Sequence, residues 1–153
     1  GKILSPFYPH GRIPIPGESK TVTATCVEAI WQGLKVFEND GIDLAMFRND
    51  TMKNIKRTVR KFGKPLGHQY GVFSKTLLNY EDAKRLIYIP TYKYVLENVP
   101  SVIRSLDKIR KLHETQDVVL LDYNLNPDNA DKSKPLSHAE LIKMYLEGRY
   151  PEE

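Results

Sequence analysis

The clearest structural signal in the chain is the segment VEAIWQGLKVF, residues 27–37. Its apolar side chains recur at spacings of three and four residues, which places them along one face of an amphipathic helix: Val27, Ile30, Trp31, Leu34 and Phe37. Thr25 and Glu28 have the spacing of a capping box, in which each side chain accepts a hydrogen bond from the other residue's backbone amide. The pattern therefore predicts a helix that begins after Thr25, ends near Gly41 and buries Trp31 unless a pocket opens beside that ring.

Patterns on both sides of this segment predict more helix than strand. We expect helices over residues 43–62, 79–87, 90–98, 100–113 and 137–146, with Gly63 ending the first and a capping box at Ser137 opening the last. Residues 12–15, 20–23 and 118–121 are the predicted strands. The sequence thus predicts an α+β, predominantly helical fold with a small β-sheet, in a single compact domain over residues 1–153.

Composition limits the class of protein. The 153 residues are 41% hydrophobic, which is enough for one core without disulfides or a structural metal. Cys26 is the single cysteine, which excludes an internal disulfide and a thiolate zinc site and fits a reducing cytoplasm. The four histidines form no HExxH pattern, so we expect no metal.

The hydropathy pattern argues against membrane association. No apolar run approaches the roughly 20 residues that a membrane-spanning helix needs. The N-terminal residues lack the apolar core of a signal peptide. We therefore expect a cytoplasmic protein without membrane contact, and the sequence carries no signal for its oligomeric state.

Positive charge is concentrated in one part of the chain. Lysine and arginine total 23 against 19 aspartate and glutamate residues, a formal net charge of +4. The basic residues within 53–64, on the outer side of the predicted 43–62 helix, are Lys53, Lys56, Arg57, Arg60, Lys61 and Lys64. Such a cluster favours an anionic ligand, and we expect Lys64 to contact the substrate. It also supports an alternative function, a non-catalytic nucleic-acid- or nucleotide-binding protein, while a solvated helix face would produce the same pattern.

Three unlike polar groups share one line of the first helix. Glu28, Gln32 and Lys35 are separated by four and three residues, so a helix would place them within one face, away from the apolar stripe. A carboxylate can handle a proton or a cationic centre, an amide can orient a sugar or base, and an amine can bind phosphate or attack an aldehyde-like carbon. A capping glutamate followed by a solvated stripe would give the same residues, so both interpretations stay open here.

Further candidates lie near the two ends of the chain. Asp122 and Asp128 follow the predicted 118–121 strand, and loops after buried strands often present catalytic groups, although Asp also favours turns. Because glycosyl transfer commonly uses two carboxylates, Glu28 with one of these aspartates makes chemical sense. In the N-terminal segment, the rings of Phe7 and Tyr8 can either stack on a base or pack against the core.

Three motifs, taken in order, resemble the NADAR superfamily. They are SPFYP at residues 5–9, VEAIWQGLK at 27–35 and VLLD at 119–122, ahead of the loop that contains Asp128. That family typically has a Ser-Asn-Phe-like segment, a helix bearing Glu-x-x-x-Gln-x-x-Lys and a late acidic stretch after a strand. Glu28, Gln32 and Lys35 fit the helix motif without a gap, whereas Pro6 stands where the family usually has asparagine.

The resemblance implies an N-glycosidase-like hydrolase that needs no cofactor. Its substrate would be an ADP-ribose-type nucleotide or ADP-ribosylated nucleic acid, including ADP-ribose linked to guanine. Glu28 would be the catalytic carboxylate, Gln32 and Lys35 would hold or react with the ribose, and Phe7 would help to form the pocket. Asp128, or less securely Asp122, would be the second acidic residue. We add Tyr8, Trp31 and Lys64 as expected substrate contacts.

Overall fold

Helices are the predominant regular element of this computed structural model, which describes residues 2–115 and 137–152. The α-helices are α1 (Val27–Gly33), α2 (Val59–Phe62), α3 (Tyr80–Ala83), α4 (Ile89–Asn98), α5 (Pro100–Thr115) and α6 (His138–Leu146). The strands are β1 (Ile13–Pro14), β2 (Thr23–Ala24), β3 (Lys35–Phe37), β4 (Pro65–Gln69) and β5 (Leu77–Leu78). Two 3₁₀ turns cover Lys2–Leu4 and Leu44–Arg48, and a π-helical turn covers Lys84–Tyr88. The predicted α+β, predominantly helical class is confirmed.

The strands form two small antiparallel sheets. β1 pairs with β2, which lies close to the predicted strands at 12–15 and 20–23. In the second sheet β4 lies between β3 and β5, and Lys35 is directly opposite His68. None of the three strands of this sheet was predicted. Residues 35–37 fall within the predicted first helix, and β4 reads PLGHQ, whose proline and glycine hide any alternation.

The predicted helix over residues 27–41 is too long. α1 ends at Gly33, where an added Cβ would lie 2.5 Å from the Phe47 ring, and the chain then enters β3. Pairing with β4 satisfies backbone groups that a longer helix would have used. Phe37 therefore reaches the core from a strand and not from the helical stripe.

The capping box at Thr25 is also wrong. The N-cap of α1 is Cys26, whose Sγ accepts a hydrogen bond from the Ala29 amide at 3.3 Å. The Thr25 hydroxyl donates to the Asn49 carbonyl, and the Glu28 amide donates to the Pro6 carbonyl. The local motif is overridden because both residues find tertiary partners.

Residues 43–62 do not form the predicted long helix. A 3₁₀ turn, an irregular stretch and the short α2 replace it, and Met52 and Asn54 adopt positive φ angles of 62° and 58°. Ile55 is buried as expected, but Val59 is 59% exposed. Gly63, at φ 85°, ends α2 as predicted. The basic cluster is therefore not one helix face.

The two helices expected over 79–87 and 90–98 form one continuous helical rod. Asn79 caps it as predicted, because its Oδ1 accepts a hydrogen bond from the Asp82 amide. Pro90 has no N–H to donate to the preceding turn, and the chain passes this point through the π-helical turn Lys84–Tyr88. π-Helical turns are frequent at functional sites.

The predicted helix start at Ser137 is confirmed, with Ser137 as its N-cap. The Ser137 hydroxyl accepts a hydrogen bond from the Glu140 amide and opens α6. The core joins side chains from β1, α1, α4, α5 and α6: Ile13, Ile30, Leu34, Tyr92, Leu96, Leu106, Leu141 and Ile142. No helix within residues 2–115 and 137–152 is long and apolar enough to span a bilayer. The predicted strand at 118–121, Asp122 and Asp128 lie outside the described residues.

Candidate active-site cleft

A cleft of about 650 Å³ opens beside α1, the second sheet and the π-helical turn. Its volume falls in the range of pockets that bind small molecules and cofactors. The lining side chains that could bind a ligand or take part in a reaction are Glu28, Trp31, Lys35, Lys56, His68 and Tyr88. The cleft therefore gathers a carboxylate, two amines and several aromatic rings from five segments of the chain.

The N-terminal segment is tied to the start of α1. The Glu28 amide donates to the Pro6 carbonyl at 2.9 Å, and the Tyr92 hydroxyl donates to the Leu4 carbonyl at 2.6 Å. These two bonds hold the segment that contains Phe7, which lines the cleft and packs against the cluster that includes Cys26 and Ala29 at the start of α1.

Glu28 is a buried carboxylate that borders this cleft. Its side chain is 8% exposed, and Gln32 Nε2 donates to its Oε1 at 3.3 Å. Burial raises the pKa of Glu28, whereas the Gln32 hydrogen bond and the positive charges of Lys56 and Lys35 oppose that rise. A buried carboxylate with a raised pKa can exchange a proton with a ligand or stabilise a developing positive charge.

Gln32 faces the protein interior. It is 6% exposed, and its Oε1 accepts a hydrogen bond from the Arg57 amide at 3.1 Å. The Arg57 guanidinium donates to the backbone carbonyls of Gln32, Lys35 and Gly41 at 3.0, 2.6 and 2.6 Å. The same guanidinium lies 4.7 Å from the Phe37 ring centroid and 4.9 Å from that of Phe62.

Lys35 reaches the cleft from β3. Burial lowers the pKa of its ammonium, the nearby Arg57 charge lowers it further, and Glu28 opposes the change. Its Nζ lies 5.3 Å from the Phe37 ring centroid. A lysine with a lowered pKa has a larger neutral fraction, which is the form that can act as a nucleophile.

An aromatic wall faces these charged groups. The rings of Trp31 and His68 lie 3.9 Å apart between centroids, with planes inclined by 35°. Tyr88 and Tyr80 approach Trp31 edge-on at 5.6 and 6.2 Å. A pocket does open beside Trp31, so this ring is a wall of the cleft as well as part of the core packing.

His68 is a neutral imidazole at physiological pH. Burial and the adjacent Lys35 charge lower its pKa to about 3, while a hydrogen bond with the Trp31 backbone acts in the opposite direction. His68 is 3% exposed, and among the described residues its Nε2 has no hydrogen-bond partner. Tyr88 also stays neutral, because burial and the Glu28 charge raise its pKa.

The structure brings together four of the predicted site residues and separates three. Glu28, Trp31, Lys35 and Phe7 line the cleft, whereas Gln32 lies behind Glu28. The Tyr8 ring packs on that of His10, 4.6 Å away, and is not part of the lining. Lys64 is exposed outside the cleft, and Lys56 from the same basic cluster lines it instead.

Besides Lys56, the cleft lining contains Tyr80, Lys84, Tyr88 and His68, none of which was predicted as a site residue. Tyr80, Lys84 and Tyr88 are spaced by four residues along one helical face, a pattern that was visible in the sequence. His68 gave no local signal, because only the pairing of β4 with β3 brings it to Lys35. In the described part of the chain, no three His, Cys, Asp or Glu side chains are grouped closely enough to hold a metal ion.

A model of a family of unknown function, DUF6939, matches residues 2–142. The chain therefore belongs to this family. No curated protein and no solved structure gives a significant match to it.

Proposed function

We propose that this protein is an N-glycosidase-like hydrolase that cleaves the ribose-linked N-glycosidic bond of an ADP-ribose-type substrate. ADP-ribose attached to guanine in nucleic acid is the substrate that its resemblance to the NADAR superfamily favours. The observation that carries the proposal is Glu28, a buried carboxylate on the wall of a nucleotide-sized cleft that also holds Lys35 and Lys56.

Charge and shape in the cleft suit such a substrate. Lys56 and Lys84 line the cleft and can attract phosphates electrostatically. The rings of Phe7, Trp31 and Tyr88 offer apolar surface against which a base or ribose can pack. A diphosphate-linked nucleotide combines these two requirements.

Glu28 would act at the anomeric carbon. As the bond from C1 of the ribose to the base nitrogen breaks, the electron pair leaves with the base and positive charge develops on the ribose. The Glu28 carboxylate stabilises that charge and accepts a proton from the water that adds to C1. The products are the free base, which takes up a proton, and ADP-ribose.

Lys35 allows a second route to the same products. Its neutral amine can attack C1 as the bond from C1 to the base nitrogen breaks; the base leaves with the electron pair and takes up the proton that the amine loses, and opening of the ribose ring then gives an imine between C1 and Lys35 Nζ. Hydrolysis of the imine then returns the free sugar and the amine. Sodium borohydride reduces an imine to a stable amine, so a borohydride-dependent mass increase on Lys35 during turnover would identify this route.

The activity test compares matched glutamate variants. Wild type, Glu28→Gln and the exposed-site control Glu38→Gln are incubated with guanine-ADP-ribosylated DNA and with free ADP-ribosyl nucleosides, and released ADP-ribose is measured by mass spectrometry. We expect release by wild type and Glu38→Gln, and a 10²- to 10⁴-fold lower rate for Glu28→Gln, roughly the size of general acid–base effects. Full activity of a folded Glu28→Gln protein would remove Glu28 from the mechanism.

The alternative, a binding protein without turnover, predicts a different outcome. The helix proposed to carry it is not formed over residues 53–64, and Arg57 is buried within the fold. Binding would then depend on the exposed lysines, fall steeply with salt and never be followed by ADP-ribose release. Such a result from all three proteins would favour this alternative.

A further inference from the structure

The resemblance to the NADAR superfamily implies that Gln32 binds the ribose, but in the structure each end of the Gln32 side-chain amide already has a partner within the protein. Its Nε2 donates to Glu28 Oε1 at 3.3 Å, and its Oε1 accepts from the Arg57 amide at 3.1 Å. The side chain is 6% exposed and does not line the cleft. Both ends of its amide are therefore engaged within the protein.

The Arg57 amide determines which way the Gln32 amide points. A backbone N–H can only donate, so the atom that faces it must be the carbonyl oxygen of Gln32. The NH₂ group must then face Glu28, where it donates to the carboxylate. Arg57 thus removes the flipped orientation, which would set the Gln32 oxygen against the Glu28 carboxylate.

Arg57 also holds the backbone on which both reactive groups depend. Its Nη1 donates to the carbonyl of Gln32, at the end of α1, and to the carbonyl of Lys35, at the start of β3. One buried side chain therefore ties the helix that carries Glu28 to the strand that carries Lys35. The rings of Phe37 and Phe62 restrict the guanidinium further.

We propose that Gln32 is a positioning residue, oriented by Arg57, that holds the Glu28 carboxylate in place and favours its ionised form, and that it does not contact the substrate. This inference rests on the proposed function for the role of Glu28, but not for the contacts themselves. A hydrogen bond from an amide stabilises the charged carboxylate over the neutral acid. The other charged or titratable groups that act on Glu28 are Lys35 on β3, Lys56 in the irregular segment, Tyr88 on the π-helical turn and Cys26 at the start of α1.

Two substitutions separate positioning from substrate contact. Gln32→Met keeps the approximate length but removes both hydrogen bonds, whereas Gln32→Glu keeps an acceptor for the Arg57 amide and removes the donor to Glu28. Gln69→Met, on β4 and outside the cleft lining, is the matched control. The Glu28 carboxyl is followed by ¹³C NMR across pH in the free protein, so this measurement needs no substrate.

We expect the pKa of Glu28 to rise in Gln32→Met, to rise further in Gln32→Glu because two carboxylates then face each other, and to stay unchanged in Gln69→Met. Where turnover is measurable, both Gln32 variants should show a kcat about ten- to hundredfold lower than wild type with little change in KM. The acidic limb of their pH–rate profiles should move to higher pH. An unchanged Glu28 titration in folded Gln32→Met would overturn the inference, as would a raised KM with unchanged kcat. Absence of turnover in every protein would contradict the proposed function, and the NMR titration would still decide the role of Gln32.

Discussion

Arg57 and the cleft are two neighbouring sites that bury polar groups in opposite ways. Three backbone carbonyls accept hydrogen bonds from the Arg57 guanidinium, Asp40 lies 3.4 Å away and two phenylalanine rings flank it. In the cleft, burial raises the pKa of Glu28 and lowers the pKa values of Lys35 and His68, which favours the neutral form of each group. The first site satisfies its charge with fixed partners and supports structure. The second leaves its groups able to exchange protons or bind a ligand.

Replacing Arg57 should have the largest effect on stability. Arg57→Met keeps much of the apolar contact with the two rings but leaves the carbonyls of Gln32, Lys35 and Gly41 without their donor. We expect the free energy of unfolding to fall by about 3–5 kcal/mol, as measured by urea denaturation. A loss below about 1 kcal/mol would mean that the guanidinium does not hold these segments together.

His68 should make stability depend on pH in a defined window. Its folded pKa of about 3 lies below the ordinary value of 6.5, so between these values the unfolded chain binds the extra proton. The stability contributed by neutral His68 is thus complete above pH 6.5 and is lost as pH falls toward 3. Relative to His68→Phe, wild type should lose about 2 kcal/mol between pH 6.5 and 4.5.

The His68→Phe variant is the control for this prediction, because the other titrating groups are present in both proteins. Glu28, with its raised pKa, changes stability in the opposite direction over part of the same window, and subtracting the His68→Phe curve removes its contribution. Parallel curves for the two proteins would show that His68 titrates normally. The ¹⁵N shifts of its ring, which distinguish a protonated nitrogen from one with a lone pair, give a direct check.

Glu28→Gln should not reduce stability at neutral pH, in contrast to Arg57→Met. The raised pKa means that the buried charge is unfavourable, and the penalty is present above the folded pKa and relieved as pH falls through it. We expect Glu28→Gln to be as stable as wild type, or more stable by up to about 1 kcal/mol, at pH 7, with any gain vanishing in acid. A clear loss in thermal denaturation at pH 7 would identify Glu28 as a structural residue.

The smallest expected effect is on ligand binding, and it should differ between two lysines of the basic cluster. Lys56 lines the cleft and Lys64 does not. Because Trp31 is the single tryptophan of the chain and lies in the cleft wall, its fluorescence can report binding of ADP-ribose. Lys56→Gln should weaken binding about two- to fivefold, roughly the worth of one exposed charge, and Lys64→Gln should not change it. Equal effects would indicate diffuse attraction by the whole surface.

The candidate site shows how much of a binding site can be predicted from residue spacing alone. Glu28 and Lys35 share the cleft as predicted, but for a different reason from the one proposed. The helix ends at Gly33, and Lys35 arrives on a strand whose pairing partner is His68. A continuous helix would have placed the two side chains, seven residues apart, on one face. The observed helix followed by a strand places the same two side chains on one wall of the cleft.

Features that depend on neighbours within a few residues could be predicted from the amino-acid sequence. The Asn79 and Ser137 caps, the Gly63 stop and the mainly helical class are of this kind, because each arises from hydrogen bonds or periodicity inside one turn or helix. The second sheet, the end of α1 and the Arg57 site arise instead from contacts between segments that are distant in the chain. Arg57 and Gln32 are 25 residues apart in the chain, and no local pattern encodes which buried donor will meet which acceptor when the elements pack together.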